Sequence, residues 1–230
     1  MEALSGAVVA GHKGTVADRN YQSDYNPEIV RWVPDDAATI LDVGCGAGGN
    51  AAFLARRGVV VDGVTLSGAE ADQAGTWCRR VYLHDLEQGL PAEHGGPYDA
   101  IICSHVLEHI CFPQQLLGDI RSRLRSGGRL VIAVPNLFYF RNRINLLMGR
   151  FEYEQGGIMD DTHFRWYTLP TLNRLLATQG FRVLHSYGAG NIPLGPIRKL
   201  APSLCRNADL AACRAIPGLF GAQLLTVATV

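Results

Sequence analysis

Asp42 precedes Gly44 by two residues, and Gly44, Gly46 and Gly49 keep the spacing G-x-G-x-x-G where an apolar run starting at Thr39 meets a helical pattern. Glycines in such a turn supply positive φ and let a ligand approach the backbone closely. Dinucleotide enzymes put a pyrophosphate on this spacing. A carboxylate at the strand's end repels a pyrophosphate and attracts a cation. The loop, with Asp42, Gly44, Cys45, Gly46 and Gly49, is therefore expected to seat a nucleoside cofactor that carries positive charge and no phosphate. A side chain at Gly46 is expected to abolish its binding by a β-carbon clash. The competing reading is an ordinary strand-turn-helix unit in which an acid and three glycines coincide.

S-adenosylmethionine, with a sulfonium and an ammonium, meets that description, and the next polar residues can be read against it. At the second strand the tip falls at Thr65, one side chain beyond where Asp62 would point. Ribose contact is assigned to Thr65, with Glu70 on the next helical turn as the carboxylate, although an acid suits a helix N-terminus without any ligand; Leu66 is counted with the cofactor-binding residues. Asp85 and Leu86 follow a third strand, where a carboxylate accepts from the adenine amine and a backbone N–H meets a ring nitrogen. Ser104 and His105 end a fourth strand, and their backbone carbonyls suit the cofactor's ammonium. His109 faces the departing methyl, where an imidazole with a pKa of about 6.5 can take a proton from an acceptor hydroxyl. The spacing of His105 and His109 also suits metal ligands on a helix, but Val106, Leu107 and Ile110 imply inward packing, and no metal is assigned. A structural histidine is the rival reading of His109.

The elements that must position these residues alternate. Strands are expected over 40–43, 59–64, 80–83, 100–103, 129–134, 181–187 and 223–229, and helices over 27–33, 50–57, 68–78, 113–124 and 169–180. Residues 1–20 read as a mobile lead, 135–168 as an insertion that caps the acceptor site, and 191–218, rich in proline and basic residues, is unassigned. Such alternation gives an α/β fold, a doubly wound, mostly parallel sheet with helices on both faces, whose ligand site lies at the carboxyl ends of the strands.

With 230 residues the chain is read as one domain over 1–230. Lys plus Arg and Asp plus Glu are 21 each, so no global field draws nucleic acid or acidic membranes. The six cysteines form no C-x-x-C pair and read as buried thiols of a reducing compartment. No long apolar span or signal-like start is seen, so a cytoplasmic protein without membrane insertion is expected.

Leu41-Asp42-Val43-Gly44-Cys45-Gly46, Asp85-Leu86, Tyr98-Asp99-Ala100, Val106-Leu107-Glu108-His109 and Leu124-Arg125-Ser126-Gly127-Gly128 make the chain resemble the class I S-adenosylmethionine-dependent methyltransferases over roughly 37–188. Within them it is similar to ubiquinone-pathway O-methyltransferases and methionine-biosynthesis accessory proteins. Pro135-Asn136, Arg141-Asn142-Arg143 and the run 161–168 resemble relatives linked to cell-surface sugars and secondary metabolites. Thr65 departs from the acid found in most relatives. Thr65-Leu66-Ser67 with a polar residue at 70 is similar to the cyclopropane-synthase branch, where Thr and Gln serve the ribose. The resemblance implies a seven-stranded sheet with its last strand antiparallel, and transfer of a methyl group from S-adenosylmethionine to a small-molecule hydroxyl of a sugar or secondary metabolite.

An alcohol must lose its proton, which adds His163 to His109 as a candidate base, with Asp160 and Asp161 placed to orient it. Tyr139, Arg141, Arg143 and Arg165, among aromatics in the insertion, suit an anionic acceptor with a flat or apolar surface. Solvated charge over core aromatics is the rival. Two other functions stay open, a nicotinamide-dependent oxidoreductase and a non-catalytic partner that keeps the cofactor fold as a scaffold. Asp42 and the missing acid at position 65 count against the first.

Overall fold

Period-two alternation along the apolar runs decides the layers. Leu41, Val43, Ile101, Cys103, Leu130, Ile132 and Val134 pack into one core, while Ile40, Ala100, Ile102, Val131 and Ala133 pack into another on the opposite face. Strands apolar on both faces need cover on both, so helices lie either side of them. The computed structural model describes residues 25–93 and 95–230. The expected lead over 1–20 lies outside the described residues.

One sheet contains β1 (Thr39–Val43), β2 (Val60–Thr65), β3 (Arg80–Leu83), β4 (Tyr98–Ser104), β5 (Leu124–Pro135), β6 (Arg182–Ala189) and β7 (Gln223–Thr229). Their order is β3-β2-β1-β4-β5-β7-β6. β1 to β5 are mutually parallel, and β7 runs antiparallel between β5 and β6. The winding reverses between β1 and β4, which places the ligand crevice at their carboxyl ends.

The helices are α1 (Pro27–Val30), α2 (Gly49–Ala55), α3 (Gly68–Ala74), α4 (Pro113–Arg123), α5 (Phe140–Leu147), α6 (Leu169–Thr178), α7 (Ile197–Leu200), α8 (Pro202–Ala215) and α9 (Pro217–Phe220). α1, expected to reach residue 33, stops at Val30 after Asn26 caps its start and Pro27 fills its first turn. The helix expected over 113–124 ends at Arg123 because Leu124 already pairs with Tyr98, and pairing resumes at Ala100 with Arg129 beyond a bulge. The unassigned 191–218 stretch contains α7 and α8 and leads into α9. Five of the six cysteines are buried, Cys111 is half-buried, and all are free thiols. Among the described residues no helix is long and apolar enough to cross a membrane.

Candidate active site

Val43, Thr65, Leu83 and Ser104 end β1 to β4 along one edge of the sheet. Asp42, one residue inside that edge, is completely buried, and neither carboxylate oxygen receives a hydrogen bond among the described residues. Burial pushes its pKa up to about 7, with Asn50 pulling the other way. A buried carboxylate without donors is costly unless a cation comes to it. This orphaned acid is the observation that fits a sulfonium- and ammonium-bearing cofactor.

The glycines do two different jobs. Gly44 has φ +72°, and a β-carbon there would stand 2.3 Å from Val106 Cγ2, so it permits the loop to pack on the end of β4. Gly46 has φ +52°, and the nearest atom to its would-be β-carbon is Glu70 Oε1 at 3.9 Å. The clash expected at Gly46 is therefore not with this protein's own atoms; the space above it is open. Gly49 opens α2, directly behind the loop.

Cys45 sits inside the glycine loop. Its backbone N–H bonds Val64 O at 2.8 Å, and its buried thiol belongs to the core cluster that includes Cys78, and it donates to Gly46 O in the loop at 3.5 Å. The Cys78 contact, burial and the charge of Asp42 hold that thiol well above the ordinary cysteine pKa. Thr65 and Glu70 are both buried, and the Thr65 hydroxyl donates to Glu70 Oε2 at 2.8 Å. Ser67 caps α3 by accepting from the Glu70 N–H. Glu70 is thus the carboxylate beside the glycine loop, and Thr65 sits behind it as its anchor. Asp62 points elsewhere, bound by Arg79 and by Tyr98 Oη at 2.9 Å. Leu66 is exposed; Asp85 and Leu86 are half-buried at the end of β3, with Asp85 Oδ1 accepting from the Glu87 N–H at 3.0 Å.

At the end of β4, Ser104 Oγ accepts from Asn26 Nδ2 at 3.3 Å, and Asn26 also donates to Gln223 Oε1 at 2.9 Å. Gln223 Oε1 lies 3.1 Å from His105 Nε2. His105 has φ +56°, the one positive value outside glycine among the described residues. Its exposed ring lies 3.3 Å from Glu108 Oε1; desolvation lowers its pKa, and the Glu108 contact outweighs that and raises it. Asn26 and Gln223, 197 positions apart, escaped sequence reasoning because no local pattern joins them.

Beyond this network the chain makes a turn, Leu107–His109, against which the insertion is sewn. The N–H groups of Phe164 and Arg165 donate to Glu108 O at 2.8 and 3.0 Å. The rings of His109 and His163 meet edge to face at 4.7 Å, and Trp166 lies 5.2 Å beyond His163. Burial lowers the His163 pKa. Asp160, expected with Asp161 to orient or tune His163, acts on it through its charge and also holds Thr162 through its N–H and hydroxyl; Thr162 Oγ1 lies 3.0 Å from His109 Nδ1. Glu108 itself is completely buried, a placement that sequence reasoning missed.

The four expected acceptor residues do not share one role. Tyr139 is buried and its hydroxyl donates to Asn191 Oδ1 at 2.6 Å, while Arg165 Nε donates to Cys111 O at 2.6 Å. Arg141 stacks over Phe140. Arg143 stacks over Phe138 and lines a cavity of about 920 Å³ whose other walls include Leu146, Leu147, Leu169, Pro217 and Leu224.

A family description reading "Methyltransferase domain" matches residues 17–186. The ubiquinone biosynthesis O-methyltransferase of Xylella fastidiosa is 33% identical over 120 residues, 47% of this chain and 46% of that protein. Its counterpart in Aeromonas salmonicida is 32% identical over 128 residues, 48% and 51% of the two chains. The chain thus spans about half the length of these curated relatives. Among solved structures, an S-adenosylmethionine-dependent methyltransferase from Mesorhizobium loti superposes with TM-score 0.60 at 18% identity, covering 89% of this chain and 96% of that one. Fold, orphaned carboxylate and family match agree: the chain belongs to the S-adenosylmethionine-dependent methyltransferases.

Proposed function

We propose that the protein moves the methyl group of S-adenosylmethionine to a hydroxyl of a small molecule, releasing S-adenosylhomocysteine. In this reading Asp42 faces the cofactor's positive charge, Gly44, Gly46, Gly49 and the backbone of Cys45 form its cradle, Glu70 takes the ribose, and Asp85 with Leu86 takes the adenine. The observation that carries the hydroxyl assignment is the pairing of His109, in the turn after β4, with His163 of the insertion, next to the strand that bears the cofactor loop. O-methyltransferase in the names of the curated relatives supports the same choice.

Methyl transfer from a sulfonium is an in-line displacement, so holding the oxygen behind the methyl contributes about 7 to 11 kcal/mol, against about 3 to 5 from proton removal. The largely apolar cavity beside Arg143 fits an acceptor with an apolar body and an acidic substituent better than a free sugar. The test is turnover with a panel of alcohols and phenols, with and without an apolar body, followed by S-adenosylhomocysteine release and by mapping the new methyl group. Products methylated only at nitrogen or carbon, with every hydroxyl intact, would remove the O-methylation reading.

A further inference from the structure

We propose that Glu108, His109 and His163 bind a divalent first-row cation that holds the acceptor oxygen during methyl transfer. The chemistry rests on the O-methylation reading; the site stands on its own geometry. One ligand atom from each of the three residues lies within 4.8 Å of the other two. Ligand atoms around a cation with bonds of about 2.0 to 2.2 Å sit about 3 to 4 Å apart, so side-chain adjustments of about 1 Å close the set.

Three further observations point to a ligand. First, the Glu108 carboxylate is completely buried and accepts no hydrogen bond among the described residues; the ion contact it makes is with His105 Nδ1 at 3.3 Å. A buried carboxylate in that condition gains from a cation. Second, both rings are held as ligand histidines are. His163 Nδ1 lies 3.1 Å from Ile158 O, and His109 Nδ1 lies 3.2 Å from Thr162 O. A carbonyl only accepts, so each Nδ1 carries the proton and each lone pair falls on Nε2. Third, the donors converge from two segments already stitched together at the Glu108 carbonyl, so the set does not depend on the cation to bring the insertion to β4. The expectation of no metal weighed the pair His105 and His109. The structure exposes His105 and brings in His163 from 54 positions beyond His109.

Two imidazoles and one carboxylate suit zinc, manganese, iron(II) or cobalt ahead of calcium or magnesium, which favour oxygen cages. Three protein ligands leave coordination positions for acceptor oxygen. The cation acts as a Lewis acid: it lowers the pKa of the bound hydroxyl, whose proton passes to solvent. The oxygen lone pair then forms the bond to the methyl carbon while the C–S bond breaks and its electron pair stays on sulfur. No electron is transferred, so the cation keeps its valence. His109 and His163 act through the cation and not as free bases.

The test is titration of the EDTA-stripped full chain with Co²⁺, read by visible absorption and calorimetry, followed by Zn²⁺ competition. One site per chain is expected, weakened at least tenfold in Glu108→Gln and in His163→Ala, with S-adenosylmethionine affinity unchanged in both as the check on folding. His163→Ala keeps the test open should the buried Glu108 position not tolerate change. No bound Co²⁺ or Zn²⁺, or equal binding by parent and His163→Ala, overturns the proposal. Full-rate O-methylation in EDTA also overturns it while leaving the proposed function standing; Co²⁺ bound at this site in a protein that methylates only nitrogen does the reverse.

Discussion

Replacing Asp42 by asparagine separates a counter-charge for a ligand from a structural acid, because the two roles predict opposite signs. Burial raises this carboxyl from 3.8 to about 7, a displacement worth roughly 4 kcal/mol. The folded state holds the proton more tightly than the unfolded state does. The charge penalty is therefore absent below pH 3.8, grows as pH rises and is complete above about 7. At pH 8 the cofactor-free parent carries all of it. Asparagine keeps the shape and removes the charge, while its amide leaves an unmatched donor costing about 1 to 3 kcal/mol, so the variant should be more stable by about 1 to 3 kcal/mol. Urea unfolding of cofactor-free parent and variant at pH 8 measures this, and towards pH 4, where the parent's carboxyl is protonated and only the amide's cost of about 1 to 3 kcal/mol remains, the order should reverse.

Affinity should move the other way. Loss of a charge-assisted contact of about 1.5 to 3 kcal/mol weakens S-adenosylmethionine binding by about 10- to 150-fold. The parent's affinity should also climb as pH approaches about 7, where the carboxylate ionises unaided, over a range in which an α-ammonium with a pKa of about 7.7 keeps its proton. The variant's affinity should stay flat. Calorimetry across that range reads both quantities. An Asp42→Asn protein that is less stable than the parent at pH 8 and binds the cofactor equally well would refute the counter-charge argument.

The other site residues give sharper contrasts in pairs. Gly44→Ala should destabilise by about 1 to 3 kcal/mol through overpacking on Val106, seen as a lower Tm without cofactor. Gly46→Val, whose β-carbon comes no nearer to a protein atom than Glu70 Oε1 at 3.9 Å, should fold at a strain cost of about 1 to 2 kcal/mol for its positive φ and lose cofactor binding altogether; retained binding would place the ligand elsewhere. Glu70→Gln and Asp85→Ala should each weaken cofactor affinity by about 1.5 to 3 kcal/mol, and an unchanged Kd in either removes that contact from the site. His109→Gln and His163→Gln should cut turnover by about 10²- to 10⁴-fold with cofactor Kd unchanged, and parental rates in both would leave positioning as the sole source of catalysis.

The strands were legible where burial on both faces left no choice. Ile40–Val43 and Leu130–Val134 are runs that only a covered parallel sheet accepts. α8 was not legible for a definite reason. Its buried positions are Cys205, Asp209 and Cys213, one face at four-residue spacing with an acid in the middle. Asp209 is tolerated there because Arg198 pairs with it and the Ile192 N–H donates to it at 2.9 Å, partners outside any local window. α5 carries Phe140, Ile144 and Leu147 at helical spacing but buries none of its residues, so that stripe meets no core. The position of Cys45 in the loop is legible in the sequence, but the direction of its side chain is not, because it depends on Gly63 of the second strand and on Cys78.

Asp42 and Glu108 share the deeper difficulty. Pattern reasoning treats a carboxylate next to apolar neighbours as a surface group or a paired one, and both of these are completely buried without hydrogen-bond donors among the described residues. They sit at the ends of β1 and β4, the two strands that flank the reversal of winding. Asp42 could be read from sequence because its glycine loop lies beside it. Glu108 could not, since its environment is completed by an insertion that arrives more than fifty residues later. Under the two proposals, Asp42 faces the cofactor's sulfonium and ammonium, and Glu108, with His105 Nδ1 at 3.3 Å, faces a divalent cation.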